Sequence, residues 1–139
     1  MVKLIIGMKG TGKTKILLGL VNSATEKSKG SVICIEKGAK LNYDVTYRAR
    51  LIDTDEFAIK DAQALYGFIT GIAASNRDIT DIFVDSALKI CADDVDAFTA
   101  FVGEVDAISS KLGFDCTMTS SIDFKACPEI LKDKVINMQ

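Results

Sequence analysis

The sequence predicts an α/β domain of three layers, with helices on both faces of a mostly parallel central sheet. Three observations carry that expectation. Short β-branched runs alternate with longer stretches whose apolar residues recur at helical spacing, the pattern of strands joined by crossover helices. The first strand passes into the first helix through a glycine-rich loop at residues 7–14. A chain of 139 residues, 48% of them apolar, supplies enough core for one domain over residues 1–139.

The elements follow in order. Val2-Lys3-Leu4-Ile5-Ile6 is a β-branched run of buried-strand character. Ile16, Leu17, Leu18, Leu20 and Val21 continue to Ala24 at helical spacing. Lys27-Ser28-Lys29-Gly30 ends that helix, with cations at the negative end of its dipole and a glycine beyond. Residues 31–36 read as the second strand and residues 37–44 as a polar loop. Residues 45–52 read as a further strand at the sheet edge, because Tyr47-Arg48-Ala49-Arg50 is partly polar. Residues 53–56 form an acidic helix start. Ala62, Leu65, Phe68, Ile69, Ile72 and Ala73 continue that helix, with Gly67 and Gly71 allowing close approach to the sheet. Residues 79–85 are an apolar strand ending in Asp85. Asp93, Asp94 and Asp96 open a helix whose apolar stripe runs from Val95 to Leu112. Residues 114–119 read as the next strand, 128–131 as a short helix and 134–137 as a final strand.

The loop carries the most specific chemistry. Gly7-Met8-Lys9-Gly10-Thr11-Gly12-Lys13-Thr14 fits G-x-x-x-x-G-K-[ST], the phosphate-binding P-loop or Walker A pattern, and it lies between a strand and a helix as that motif requires. Gly10 and Gly12 let successive N–H groups turn inward, and these cradle an anion together with the helix N-terminus. Lys13 adds a point charge for the outer phosphates, and the Thr14 hydroxyl is a ligand for Mg²⁺. Residues 7–15, from Gly7 through Lys15, are the expected nucleotide-binding segment. Lys9 is either a further phosphate contact or a solvated loop lysine. Downstream, Asp85 at the carboxyl end of an apolar strand has the Walker B pattern, with its carboxylate on the same Mg²⁺.

On these residues the chain resembles the RecA/KaiC-like branch of P-loop NTPases. The P-loop, the run Val84-Asp85-Ser86, and Glu36 at the end of the strand after the first helix carry the likeness. It is also similar to small stand-alone bacterial ATP-binding proteins of about this length. The resemblance implies the P-loop NTPase fold as a minimal RecA-like core, with ATP and Mg²⁺ bound and ATP hydrolysed. It further implies that Glu36 acts as base on the attacking water, beside Lys13 and Asp85 as catalytic residues, and that Thr119-Ser120-Ser121 stands where a residue senses the γ-phosphate. Read without the resemblance, Glu36 is equally a surface carboxylate paired with Lys37 or Lys40. No adenine contact is legible beyond Tyr43 or Tyr47 as stacking partners.

Composition narrows the alternatives. The chain has no histidine, which removes His-based acid–base chemistry, Ser–His and Cys–His pairs and most zinc sites. The histidine box of pilus-retraction ATPases is absent with it. Cys34, Cys91, Cys116 and Cys127 form no C-x-x-C pair and read as reduced thiols of a cytoplasmic protein, with Cys127, beside the single proline, the candidate for reactivity. A net charge of −2 argues against a nucleic-acid or anionic-membrane surface, and neither a leader nor a membrane-length apolar run is present. No N-K-x-D guanine motif occurs. Two other function classes stay open: a small-molecule or nucleoside kinase, and a non-hydrolysing nucleotide sensor acting on a protein partner. The motif region lacks an arginine to offset transition-state charge, so a protein partner or self-association is expected to supply one. Arg48 and Arg50, two residues apart on an edge strand, are either the candidates within the chain or two solvated charges that discourage edge pairing.

Overall fold

The computed structural model of the chain describes residues 1–42 and 44–137. Tyr43, one of the two base-stacking candidates, lies outside the described residues. Five strands form one sheet: β1 (Val2–Gly7), β2 (Ser31–Glu36), β3 (Ala49–Asp53), β4 (Ile79–Val84) and β5 (Asp115–Ser121). Every pairing is parallel, and the order across the sheet is β1-β5-β4-β2-β3. Helices α1 (Lys13–Lys27), α2 (Ala62–Ser75), α3 (Ala87–Ile90) and α4 (Val95–Leu112) complete the fold.

Strand alternation decides which face each residue serves. Leu4, Ile33, Ile35, Ile82, Val84 and Met118 join Leu65 and Ile69 of α2 and Phe98, Phe101 and Val102 of α4 in one buried cluster. Ile5, Val32, Cys34 and Phe83 point the other way and pack beneath Leu17 and Val21 of α1. The sheet is thus covered on both faces, as a parallel sheet with crossover helices must be. Among the described residues, no helix is long and apolar enough to cross a membrane.

Several expected boundaries move, each for a local reason. The edge strand begins at Ala49 rather than at residue 45. The preceding residues are held in turns, since Asp44 and Val45 donate their N–H groups to the Leu41 carbonyl. Asn22 of α1 braces the same segment, donating to the Asp44 carbonyl at 3.1 Å and accepting from Thr46 N at 3.2 Å. The acidic run at 53–56 does not start α2. Asp53 caps a separate 3₁₀ turn, Thr54–Phe57, which ends at Ala58 in a left-handed conformation (φ 56°). Asp61 then caps α2, its carboxylate accepting from Ala64 N at 2.8 Å. Gly67 and Gly71 have no heavy atom within 4 Å of where a Cβ would lie, so neither serves close packing. Of the three aspartates expected to open the long helix, Asp94 is its cap, Asp96 lies in its first turn, and Asp93 precedes it at φ 57°.

The carboxyl-terminal segment differs most. Glu129–Lys134 is a 3₁₀ helix, and the expected final strand reduces to one parallel bridge, Val135 to Leu4. Ile136 N donates to the Leu4 carbonyl at 2.9 Å, while the Asn137 side chain exchanges two hydrogen bonds with the Ile6 backbone. That amide does the work of a strand neighbour and covers the exposed flank of β1.

Candidate functional site

In a parallel sheet all strand carboxyl ends face one way, and the loops leaving them form a crevice. Here that crevice is a cleft of about 600 Å³ between the β1–α1 loop and the ends of β4 and β5. Gly10 and Gly12 sit at φ 85° and 86°, a region closed to most residues with a Cβ. Gly12 is the N-cap of α1 and offers no side chain to its first N–H groups. Those donors therefore stay free for an anion at the positive end of the helix dipole.

Lys13 opens α1 and folds back across the loop, its Nζ donating to the Met8 carbonyl at 2.9 Å. It is only 9% exposed. Burial holds its ammonium below the ordinary lysine value, and the nearby Asp85 charge opposes that shift. Thr11 Oγ1 donates to the same Met8 carbonyl at 2.7 Å, which closes the loop on itself.

Asp85 follows β4 and is placed there by the sheet, its N–H donating to the Ile35 carbonyl of β2 at 2.8 Å. Its Oδ1 accepts from Thr14 Oγ1 at 3.2 Å and from Thr119 Oγ1 at 2.7 Å. Thr119 in turn accepts from Ser86 N at 2.7 Å, with Ser86 in a left-handed conformation at φ 61°. The next hydroxyl, Ser120 Oγ, points to the other face and accepts from Leu88 N at 3.3 Å. The polar end of β5 is therefore divided: Thr119 and Ser121 line the cleft, and Ser120 anchors α3.

The cleft brings together Lys9, Gly10, Gly12, Lys13, Thr14 and Lys15. Asp85 lines it as well. Gly7, Met8 and Thr11 shape the loop without lining the cleft. Glu36 is not in the lining either. It is 2% exposed and lies behind the Lys40–Leu41 segment. Its Oε1 accepts from Lys40 N at 2.9 Å and Leu41 N at 3.2 Å, and its Oε2 has no hydrogen-bond partner. The surface-pair alternative for Glu36 is corrected by this placement. Lys37 pairs instead with Asp55 at 2.8 Å, and Lys40 offers Glu36 its backbone N–H rather than its ammonium.

Burial raises the Glu36 carboxyl above the usual range. The two N–H bonds oppose the shift, and the charges of Asp53 and Asp85 reinforce it. The folded protein thus binds this proton more tightly than the unfolded chain does. The stability from Glu36 is complete below the unfolded value and is lost as pH rises through the folded one. Glu36→Gln is accordingly expected to melt above wild type at neutral pH, the gain vanishing by about pH 4. Melting curves across that interval check it; a constant difference would remove titration of Glu36 as the cause.

The other sequence candidates fall elsewhere. Arg48 lies in the turn before β3, so the two arginines do not share a strand face. Arg50 lines a groove with Ile52, Phe57 and Phe68 on the α2 side of the sheet. Tyr47 is 91% exposed, outside the cleft. All four cysteines are buried and free. Burial pushes the thiols of Cys34, Cys91 and Cys116 up to about 12 and raises that of Cys127.

Lys40, Lys89 and Asp93 also line the cleft, outside the sequence motifs. They sit on loops and a single-turn helix, with no periodic or motif signal, and only the fold gathers them. With them the lining holds five lysines against two aspartates, in a chain of net charge −2. That local excess suits a polyanionic ligand.

The donor set also bears on a metal. Among the described residues, no cluster of three or more cysteines and carboxylates is placed to hold one. At the cleft the Thr14 hydroxyl lies beside the Asp85 carboxylate. Mg²⁺ usually takes one or two protein oxygens and completes its shell from phosphates and water, so these residues fit it. The chain matches no known family model and no curated protein.

Proposed function

We propose that the chain is a Mg²⁺-dependent ATP-binding protein with a minimal RecA-like P-loop NTPase core, hydrolysing ATP or switching on it. The observation that carries the reading is the Thr14–Asp85 contact. It joins two oxygen donors 71 residues apart beside a glycine loop that leads into a helix with no side-chain cap on its first N–H groups. The α1 N-terminus and Lys13 bind and orient the phosphates, with the Lys13 ammonium leaving the Met8 carbonyl to do so. Thr14 and Asp85 would hold Mg²⁺, which screens phosphate charge when bound. Glu36 lies behind the Lys40–Leu41 segment, so water reaches Oε2, the oxygen that holds no partner, when that cover shifts, and Glu36 then takes the water's proton.

The burial of Glu36 favours one alternative, a nucleotide sensor that binds without turnover until the 37–42 segment moves. Product analysis of γ-labelled ATP separates the readings: free phosphate marks hydrolysis, a labelled acceptor a kinase, and unchanged ATP a sensor. Binding itself is tested by calorimetry. Lys13→Ala is expected to weaken MgATP at least about tenfold, the loss of charge-assisted hydrogen bonds to phosphate. Equal affinities for the two proteins would overturn the nucleotide reading.

A further inference from the structure

The loop after β2 is tied down from beneath by two carboxylates. Glu36 and Asp53 are register partners at the ends of β2 and β3. Asp53 Oδ1 accepts from Gly38 N at 2.8 Å and from Asp55 N at 2.9 Å, while Glu36 Oε1 takes the N–H groups of Lys40 and Leu41. Leu41, 4% exposed, pins the far end into the core under α1. Gly38 stands at φ 87°, a left-handed conformation that favours glycine, and makes the turn.

With its backbone fixed in this way, Lys40 lines the cleft, and among the described residues its ammonium has no carboxylate within 4 Å. The lysines at 9, 13 and 15 belong to the glycine loop and α1, and Lys89 shares the α3 side of the lining with Asp93. Lys40 is the cation brought by the wall that also shields Glu36.

We propose that Lys40 is a γ-phosphate ligand supplied by the chain itself, and that Glu36 positions it by holding its backbone. This rests on the nucleotide reading above and deepens it. It gives the cleft a charge for the terminal phosphate where the glycine loop brings no arginine, and it assigns Glu36 a second task through the oxygen that base chemistry does not need. A contact confined to the γ-phosphate separates ATP from ADP.

The test is calorimetric titration with MgATP and MgADP. Lys40→Ala is expected to weaken MgATP about tenfold, the value of one hydrogen bond to a charged group, and to leave MgADP within about twofold. Glu36→Ala should lose the same discrimination, and Glu36→Gln, which keeps an oxygen for both N–H groups, should restore it. Unchanged ADP binding in Glu36→Ala shows that the domain is folded. A Lys40→Ala protein that binds both nucleotides as wild type does, or loses both equally, overturns the proposal. If Lys13→Ala still abolishes binding in that case, the nucleotide reading stands without it. Discrimination retained in Glu36→Ala rejects the positioning role. A wild type that binds neither nucleotide overturns the proposal and the nucleotide reading together.

Discussion

Glu36→Gln is expected to bind MgATP as wild type does and to turn it over ~10²–10⁴-fold more slowly, the usual contribution of a positioned general base. The substitution preserves shape, and its amide oxygen still accepts from Lys40 N and Leu41 N. What disappears is the basic oxygen, now Oε2, which has no partner inside the protein. The chain offers no histidine as a substitute, and Asp85 is occupied by Thr14 and Thr119. Steady-state phosphate release with affinity measured in parallel is the required pair of readouts. Equal turnover would leave Glu36 only its structural task of holding the 37–41 loop. The raised Glu36 carboxyl adds a pH signature. Base catalysis needs the ionised form, so the wild-type rate should climb with pH through a value above that of an ordinary glutamate, and the variant should lose that limb.

Asp85→Asn is expected to remove the Mg²⁺ dependence of ATP affinity, a loss of at least ~10–100-fold at saturating metal, since even indirect partners of a metal contribute that much. Asparagine retains an oxygen at Oδ1 for the Thr14 and Thr119 hydroxyls, so the fold should survive. The carboxylate charge is what is lost. Titrating ATP with and without Mg²⁺ against both proteins decides the point: a variant in which the metal still tightens ATP as in wild type would take Asp85 out of the metal site.

The legible part of the site is the part encoded contiguously. Residues 7–14 match a phosphate-loop pattern, in which one local geometry needs glycines, a lysine and a hydroxyl at set spacing, and the structure makes Lys9, Gly10, Gly12, Lys13 and Thr14 part of a cleft wall. Asp85 was legible as a strand-end carboxylate, yet its contact with Thr14 depends on β5 standing between β1 and β4 and presenting Thr119 to it. Glu36 was readable as a strand-end residue but not as a buried one. A glutamate followed by Lys37 and Lys40 looks like a surface pair until the loop reverses and points its N–H groups inward.

By itself the sequence determined the strands, the helices that alternate with them and the glycine loop between the first of each. All of these follow from short-range periodicity and from the backbone needs of glycine, which act over a few residues. Only the tertiary structure decided the strand order, the division of Thr119 from Ser120, the gathering of Lys40, Lys89 and Asp93, and the substitution of Asn137 for a sixth strand. Those depend on which distant segments share a sheet edge or a cleft wall. That choice is made by burying apolar faces against one another, a collective term that no local window of sequence contains.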